Sequence, residues 1–344
     1  MKTLYYHQPH TLLNRALRLL QTIIQRKGIL SLFTTLTILL LPLSVQGQTS
    51  NKILINSGWE MQDAAIISKE GMKDGWEMEN AAKVPQEGKV ISTTKYKPSG
   101  WYKATVPGTV LTTLVNNGVY PEPLYGENNR PEVIPEYLCH TDWWYRNEVM
   151  IPDSYKNKTI WLNFDGINYS ADIWVNGRRV GPIKGAFIRG NFDITSLVKP
   201  GQTAIIAVRI SPQPNTGVPF EHIMGTVGGP CGGVGRLDGP TFGCSNGWDW
   251  LSGIRDRNSG IWQDVFLSAT GHVLMKDPLI TSDLPLPRTD IASVTVQTTV
   301  QNTTGNVQKG IIKGSFDSIK FEKTIEIAPW RSLTFTFDPK DFAQ

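Results

Sequence analysis

Lys158 to Gly181 reads KTIWLNFDGINYSADIWVNGRRVG and holds two short strands with their turns. Ile160, Leu162 and Phe164 alternate with other residues and run into Asp165-Gly166, a turn signal. Ile173 and Val175 then lead into Asn176-Gly177, the strongest short-range hairpin signal a sequence carries. A third strand, TAIIAVRI (203–210), is introduced by Pro200-Gly201. Repeated strand and turn units with sparse helix predict an all-β antiparallel sandwich. One segment departs from this: in GTVLTTLVNNGVY (108–120), Val110, Leu111, Leu114 and Val115 fall at helical spacing, and Asn116-Asn117-Gly118 ends the run.

Outward from this core, three further regions differ in character. From Pro212 to Gly260 regular signals fade into a long irregular loop, which in a compact domain is functional or disordered. Beyond it, DPLITSDLPLP (277–287) reads as a proline-rich joint. Four alternating stretches follow: ASVTVQTTVQN, GIIKGSFDS, KFEKTIEIAP and RSLTFTFDP. They predict a small immunoglobulin-like sandwich over 276–344, with too few strands to close comfortably. At the other end, a basic lead to Arg26-Lys27, an apolar run from Ile29 to Val45 and the small-residue exit SVQGQ read as an export signal over 1–47, cleaved after Gly47. An uncleaved membrane anchor is the alternative, since the run approaches the lower length of a span. The expected location is periplasmic or extracellular.

Charge excludes one class of partner. The formal net charge of +4 owes much to Lys2, Arg15, Arg18, Arg26 and Lys27, which no acidic residue of that segment offsets, so nucleic-acid binding gains no support. Of three cysteines, Cys231 and Cys244 bracket a glycine-rich loop and either pair or stay free, while Cys139 is left over. The five histidines are too scattered to suggest a metal site, and no cofactor motif is present. The glycine run from Gly225 to Gly235 lacks the lysine and hydroxyl of a phosphate loop.

Aromatic residues beside polar ones are the remaining signal. A pyranose offers an apolar face for stacking and a rim of hydroxyls for charged partners, so Trp143-Trp144-Tyr145-Arg146, Trp174 and GWDWLSGIRDRNSGIW (247–262) are candidate sugar surfaces. Strand position favours core for Trp161 and Trp174. Loop position favours function for Trp248 and Trp250, with Asp249 between them.

Five blocks now carry a resemblance: VPGTVLTTLVNNGVYPEPLYGENN (106–129), DWWYRNEVMIP (142–152), LNFDGINYSADIWVNGRRVG (162–181), FDITSLVKPG (192–201) and GWDWLSGIRDRNSGIWQDV (247–265). In this order they resemble the amino-terminal sugar-binding jelly roll of glycoside hydrolase family 2. The jelly roll would occupy 48–275 and the immunoglobulin-like second domain would begin near Lys276. PLYGENN, WWYR and RDRNSGIW are similar to the exo-β-D-glucosaminidase and β-mannosidase-like branch. The resemblance implies retaining hydrolysis by two glutamates, with carboxyls about 5–5.5 Å apart, in a later (β/α)8 barrel. No residue of this chain inherits that catalytic role, so alone it is expected to be inactive. By the same resemblance Asp249 would accept hydrogen bonds from a terminal β-linked sugar and Trp248 or Trp250 would shape the pocket wall. Arg255, Asp256, Arg257 and Asn258 would brace the loop, and Ile261 and Trp262 would start the returning strand. The rival expectations are a free-standing carbohydrate-binding module and a purely structural cell-surface sandwich. No metal, cofactor or nucleic acid is expected, and no membrane partner unless the signal stays uncleaved.

Overall fold

A computed structural model of the protein describes residues 52–70, 84–216, 241 and 254–342. The expectations on 1–47, on Trp248, Asp249 and Trp250, and on Cys231 and Cys244 lie outside these residues.

The first strands in chain order are β1 (Lys52–Leu54), β2 (Glu60–Asp63), β3 (Tyr102–Lys103), β4 (Trp143–Met150), β5 (Thr159–Phe164), β6 (Ser170–Val175), β7 (Arg178–Lys184), β8 (Gly190–Asp193), β9 (Thr203–Ser211) and β10 (Val265–Thr270). They form a four-stranded sheet in the order β1-β10-β5-β8 and a six-stranded sheet in the order β3-β2-β4-β9-β6-β7, antiparallel throughout. The two sheets face each other over one apolar core that includes Ile160, Leu162, Phe164, Ile173, Val175, Ile206 and Val208. At the β6–β7 hairpin, Asn176 and Gly177 both have positive φ, 48° and 81°, as a type I′ turn requires. The Asn176 side chain also donates to the Leu197 carbonyl and accepts from the Ile205 amide, each at 2.8 Å, so the turn residue ties the hairpin to its neighbours.

Three short helices flank the sandwich: α1 (Ala64–Glu70), α2 (Val84–Ile91) and α3 (Val110–Asn116). α3 is the helix expected from its periodicity, and Thr109 caps it by accepting from the Thr112 amide. α1 and α2 had no clear signal. They cover the outer face of the six-stranded sheet and make a second apolar cluster of Ala64, Ile67, Ile91, Trp144, Trp174 and Ala207. α1 starts where Asp63 accepts the Ala65 amide at 2.7 Å. α2 approaches so closely that a Cβ on Gly88 would lie 2.2 Å from Trp174 Cε2, well inside van der Waals contact.

This helical layer corrects one expectation. Trp143, Trp144, Tyr145 and Arg146 are all buried, so none of them offers a sugar-stacking face, while Trp174 is buried as its strand position predicts. Trp143 and Tyr145 point into the sandwich, while Trp144, Arg146 and Trp174 point outward and are roofed by α1, α2 and the residues after them. Arg146 donates to the carbonyls of Ile91 (3.1 Å) and Thr93 (3.4 Å) and pairs with Glu148 at 2.8 Å. Trp161, on the outer face of the other sheet, is also buried, with Lys276 lying over its ring at 5.7 Å.

Beyond β10 come β11 (Val273–Asp283), β12 (Ser293–Asn302), β13 (Gln308–Phe316), β14 (Ile319–Ile327) and β15 (Ser332–Phe337). β11-β12-β15 form one sheet and β13-β14 a hairpin packed on it around Val300, Ile312, Ile325, Ile327 and Phe337. The expected joint at 277–287 is instead strand as far as Asp283. Asp277-Pro278 is accommodated by a bulge between Lys276 and Leu279, where proline's missing N–H removes no ladder bond, and Asp277 takes a φ of 48°. Among the described residues no helix is long and apolar enough to cross a membrane.

Candidate functional site

Residues 254–260 form an irregular turn that the structure pins from four separate segments. Its conformation is costly by itself, because Arg257 and Asn258 are consecutive non-glycine residues with positive φ, 51° and 57°. Asp256 offsets part of this cost. Its Oδ1 accepts the Asn258 amide at 2.8 Å, and its Oδ2 accepts the Leu111 amide at 2.7 Å, joining the turn to the first turn of α3. The backbone continues the contact: the Val110 amide donates to the Ser259 carbonyl and the Gly108 amide to the Ile261 carbonyl, both at 2.8 Å. Gly260 sits so close that a Cβ would lie 2.5 Å from the Gly108 carbonyl oxygen. From the opposite side, the buried Asn168 side chain donates to the carbonyls of Arg257 and Asn258, each at 3.0 Å.

The two arginines reach inward. Arg255 and Arg257 are 1% and 2% exposed and converge on one carboxylate, Glu136. Arg255 Nη1 lies 2.7 Å from Glu136 Oε1, and Arg257 Nη2 lies 2.7 Å from Oε2. Arg255 also donates through Nε and Nη2 to the Asn129 carbonyl, and Arg257 through Nε to the Thr216 carbonyl at 2.8 Å. Two cations out of water are tolerable only with this density of acceptors. Burial pushes the Asp256 carboxyl up from its ordinary pKa, opposed by the bonds from Thr109, Leu111 and Asn258 and by the Arg257 charge.

Glu136 begins a short 3-10 turn, Glu136–Cys139. Its carboxylate lies near Cys139 Sγ and the His140 ring, the one group of three possible metal ligands among the described residues. Both Glu136 oxygens are already held by guanidinium groups, whose positive charge opposes a cation there. The arrangement is therefore an ion-pair clamp. Burial raises the Cys139 thiol to about 11, which Arg257 partly opposes. An unfolded chain ionises this thiol near pH 8.5, and the folded one holds its proton. Its stabilising contribution is therefore complete below about pH 8.5 and is lost as pH rises toward 11. Urea unfolding at pH 8 and pH 10.5 should show a smaller loss of stability in Cys139→Ala than in the parent; equal losses would disprove the assignment.

Asn258 is half-buried at the outer side of the turn, while Arg255, Asp256 and Arg257 face the interior. Ile261 is buried, but the returning strand starts only at Val265; Trp262 first donates to the Ala186 carbonyl at 2.8 Å and packs edge-on to Phe187. Glu136, Asn129 and Asn168 were not foreseen as parts of the site. Glu136 lies in none of the resembling blocks, and nothing in its neighbours PEYLC marks a lone glutamate as the partner of arginines about 120 positions later.

Comparison with known proteins agrees with this architecture. Residues 76–263 match the profile of the glycosyl hydrolase 2 galactose-binding domain-like family. The chain is similar to an exo-beta-D-glucosaminidase of Streptomyces avermitilis, 30% identical over 255 residues, covering 73% of this chain and 25% of that protein. It is also similar to a mannosylglycoprotein endo-beta-mannosidase of Lilium longiflorum, 36% identical over 197 residues, 54% of this chain and 19% of that one. In fold it matches the crystal structure of an exo-chitosanase from Amycolatopsis orientalis, with a TM-score of 0.61 at 24% identity over 84% of this chain and 28% of that chain. The chain thus spans about a quarter or less of the length of these curated relatives.

Proposed function

This chain belongs to glycoside hydrolase family 2, as its galactose-binding-like N-terminal region, and from that premise we propose that it is the non-catalytic, sugar-contacting part of a retaining exo-acting enzyme. The substrate would be a glycan ending in a β-linked glucosamine or mannose. Asp249 would accept hydrogen bonds from that terminal sugar, Trp248 or Trp250 would form a wall, and the chemistry would reside in two glutamates of a barrel. The reading is carried by the profile match over 76–263, which falls on a jelly roll whose 254–260 turn is held rigid by a buried clamp. The relatives' names, a glucosaminidase and a mannosidase, support the choice of sugars. The proposed route includes export with cleavage after Gly47.

The purified chain should show no turnover of aryl β-glucosaminide or β-mannoside, and its exported form should begin at Gln48 by intact mass. Methyl glycosides of the same sugars should bind, and Asp249→Ala should weaken binding by roughly ten- to a hundred-fold, the value of a hydrogen bond to a charged group. Measurable turnover, or unchanged affinity in Asp249→Ala, would sink the reading.

A further inference from the structure

A cleft of about 220 Å³ opens beside α3, bounded by the helix, by residues 122–124 and by the outer side of the clamped turn at Ile254 and Asn258. This is below the ~300–1,000 Å³ of drug-sized pockets and suits one small ring. Its chemistry is divided. Leu111, Val115 and Ile254 supply an apolar wall, and Asn116, Glu122 and Asn258 supply polar groups. These polar groups have capacity to spare among the described residues. Asn258 commits its backbone to Asp256 and Asn168, leaving its side-chain amide free. Asn116 donates to Thr105 Oγ1 at 2.8 Å and keeps its own oxygen. Glu122 accepts the Leu124 amide through Oε1 at 3.2 Å and keeps Oε2. Asn258 lines this cleft from a left-handed backbone conformation, with a φ of 57°.

Among the described residues the lining holds an apolar wall, an amide rim and one carboxylate with no lysine or arginine, which matches a pyranose ring that carries an ammonium group. We propose that this cleft is a second sugar-binding subsite, selective for an aminosugar, in which Glu122 pairs with the ammonium and Asn116 and Asn258 hold hydroxyls. The proposal rests on the reading of the chain as a sugar-contacting region and extends it to a site separate from Asp249. The same electrostatics rejects an acidic sugar, whose carboxylate would face Glu122 with no lysine or arginine among the described lining residues to screen it.

The test is an NMR titration of the purified chain with methyl β-D-glucosaminide, methyl β-D-mannoside and methyl β-D-glucuronide at pH 6.5. The glucosaminide should shift the signals of Leu111, Val115, Ile254 and Asn258, the mannoside should do so more weakly, and the glucuronide should not. Glu122 is on an exposed rim, so E122Q should weaken glucosaminide binding about five-fold, as expected for a solvated ion pair, and leave the mannoside unchanged. The fold tolerates that change, because Glu122 is solvent-exposed. Three results overturn the proposal: no shift at the cleft with the glucosaminide, equal effects of E122Q on both sugars, or glucuronide binding as tight as glucosaminide. If binding vanishes in Asp249→Ala while E122Q matches the parent, only the second site fails. If no glycoside binds anywhere, both readings fail.

Discussion

Glu136→Ala should lower the unfolding free energy by about 3–5 kcal/mol, the usual cost of removing one partner from a buried ion pair. The size follows from burial. Arg255 and Arg257 have almost no contact with water, and each gives a guanidinium nitrogen to a Glu136 oxygen at 2.7 Å. The substitution takes away the carboxylate of Arg257 and one partner of Arg255, while the desolvation of both cations is unchanged. Glu136→Gln keeps one acceptor and the side-chain shape, so its loss should be smaller and the chain should still fold for measurement. Urea unfolding followed by tryptophan fluorescence reads both variants. A Glu136→Ala cost below about 1 kcal/mol would place the pair in the range of solvated surface bridges and refute the clamp.

Trp174→Ala should cost a similar amount, about 3–5 kcal/mol, since it empties a large buried site between the six-stranded sheet and α2. Trp144 loses its ring partner, whose centroid lies 5.2 Å away. The more discriminating experiment pairs this change with Gly88→Ala. In an exposed helix that substitution is worth roughly 0.5–1 kcal/mol of stabilisation. Here the new methyl would clash with the Trp174 ring at 2.2 Å, so we expect about 1–3 kcal/mol of destabilisation instead. With Trp174 already alanine the clash is gone, and Gly88→Ala should become neutral or favourable. A double-mutant cycle that is additive within about 0.5 kcal/mol would show that α2 does not sit on Trp174.

The helical layer shows where sequence reading reached its limit. In WWYR each residue has the composition of a sugar platform, and strand alternation does send Trp144 and Arg146 away from the sandwich core. What buries them is α1 and α2, seven and eight residues long, too short to carry a strong periodic signal. Asp277-Pro278 misled in a similar way. A proline that reads as a break in the chain is absorbed by a bulge on a sheet edge, a feature defined by the partner strand β12.

What the sequence determined by itself is local: the alternation of Ile160, Leu162 and Phe164, the Asn176-Gly177 hairpin, the helix after Thr109, and the ordered blocks that mark the family. Each depends on residues a few positions apart, where backbone preference and strand or helix period act directly. Which residues form the clamp was decided only in the tertiary structure. Asn129, Glu136 and Asn168 join Arg255 and Arg257 across about 90 to 130 positions, because folding removes those charges from water and only partners brought there by other strands and turns can replace it. The cleft beside α3 has the same origin. Its apolar wall and amide rim come from three segments, and no one of them carries the pattern alone.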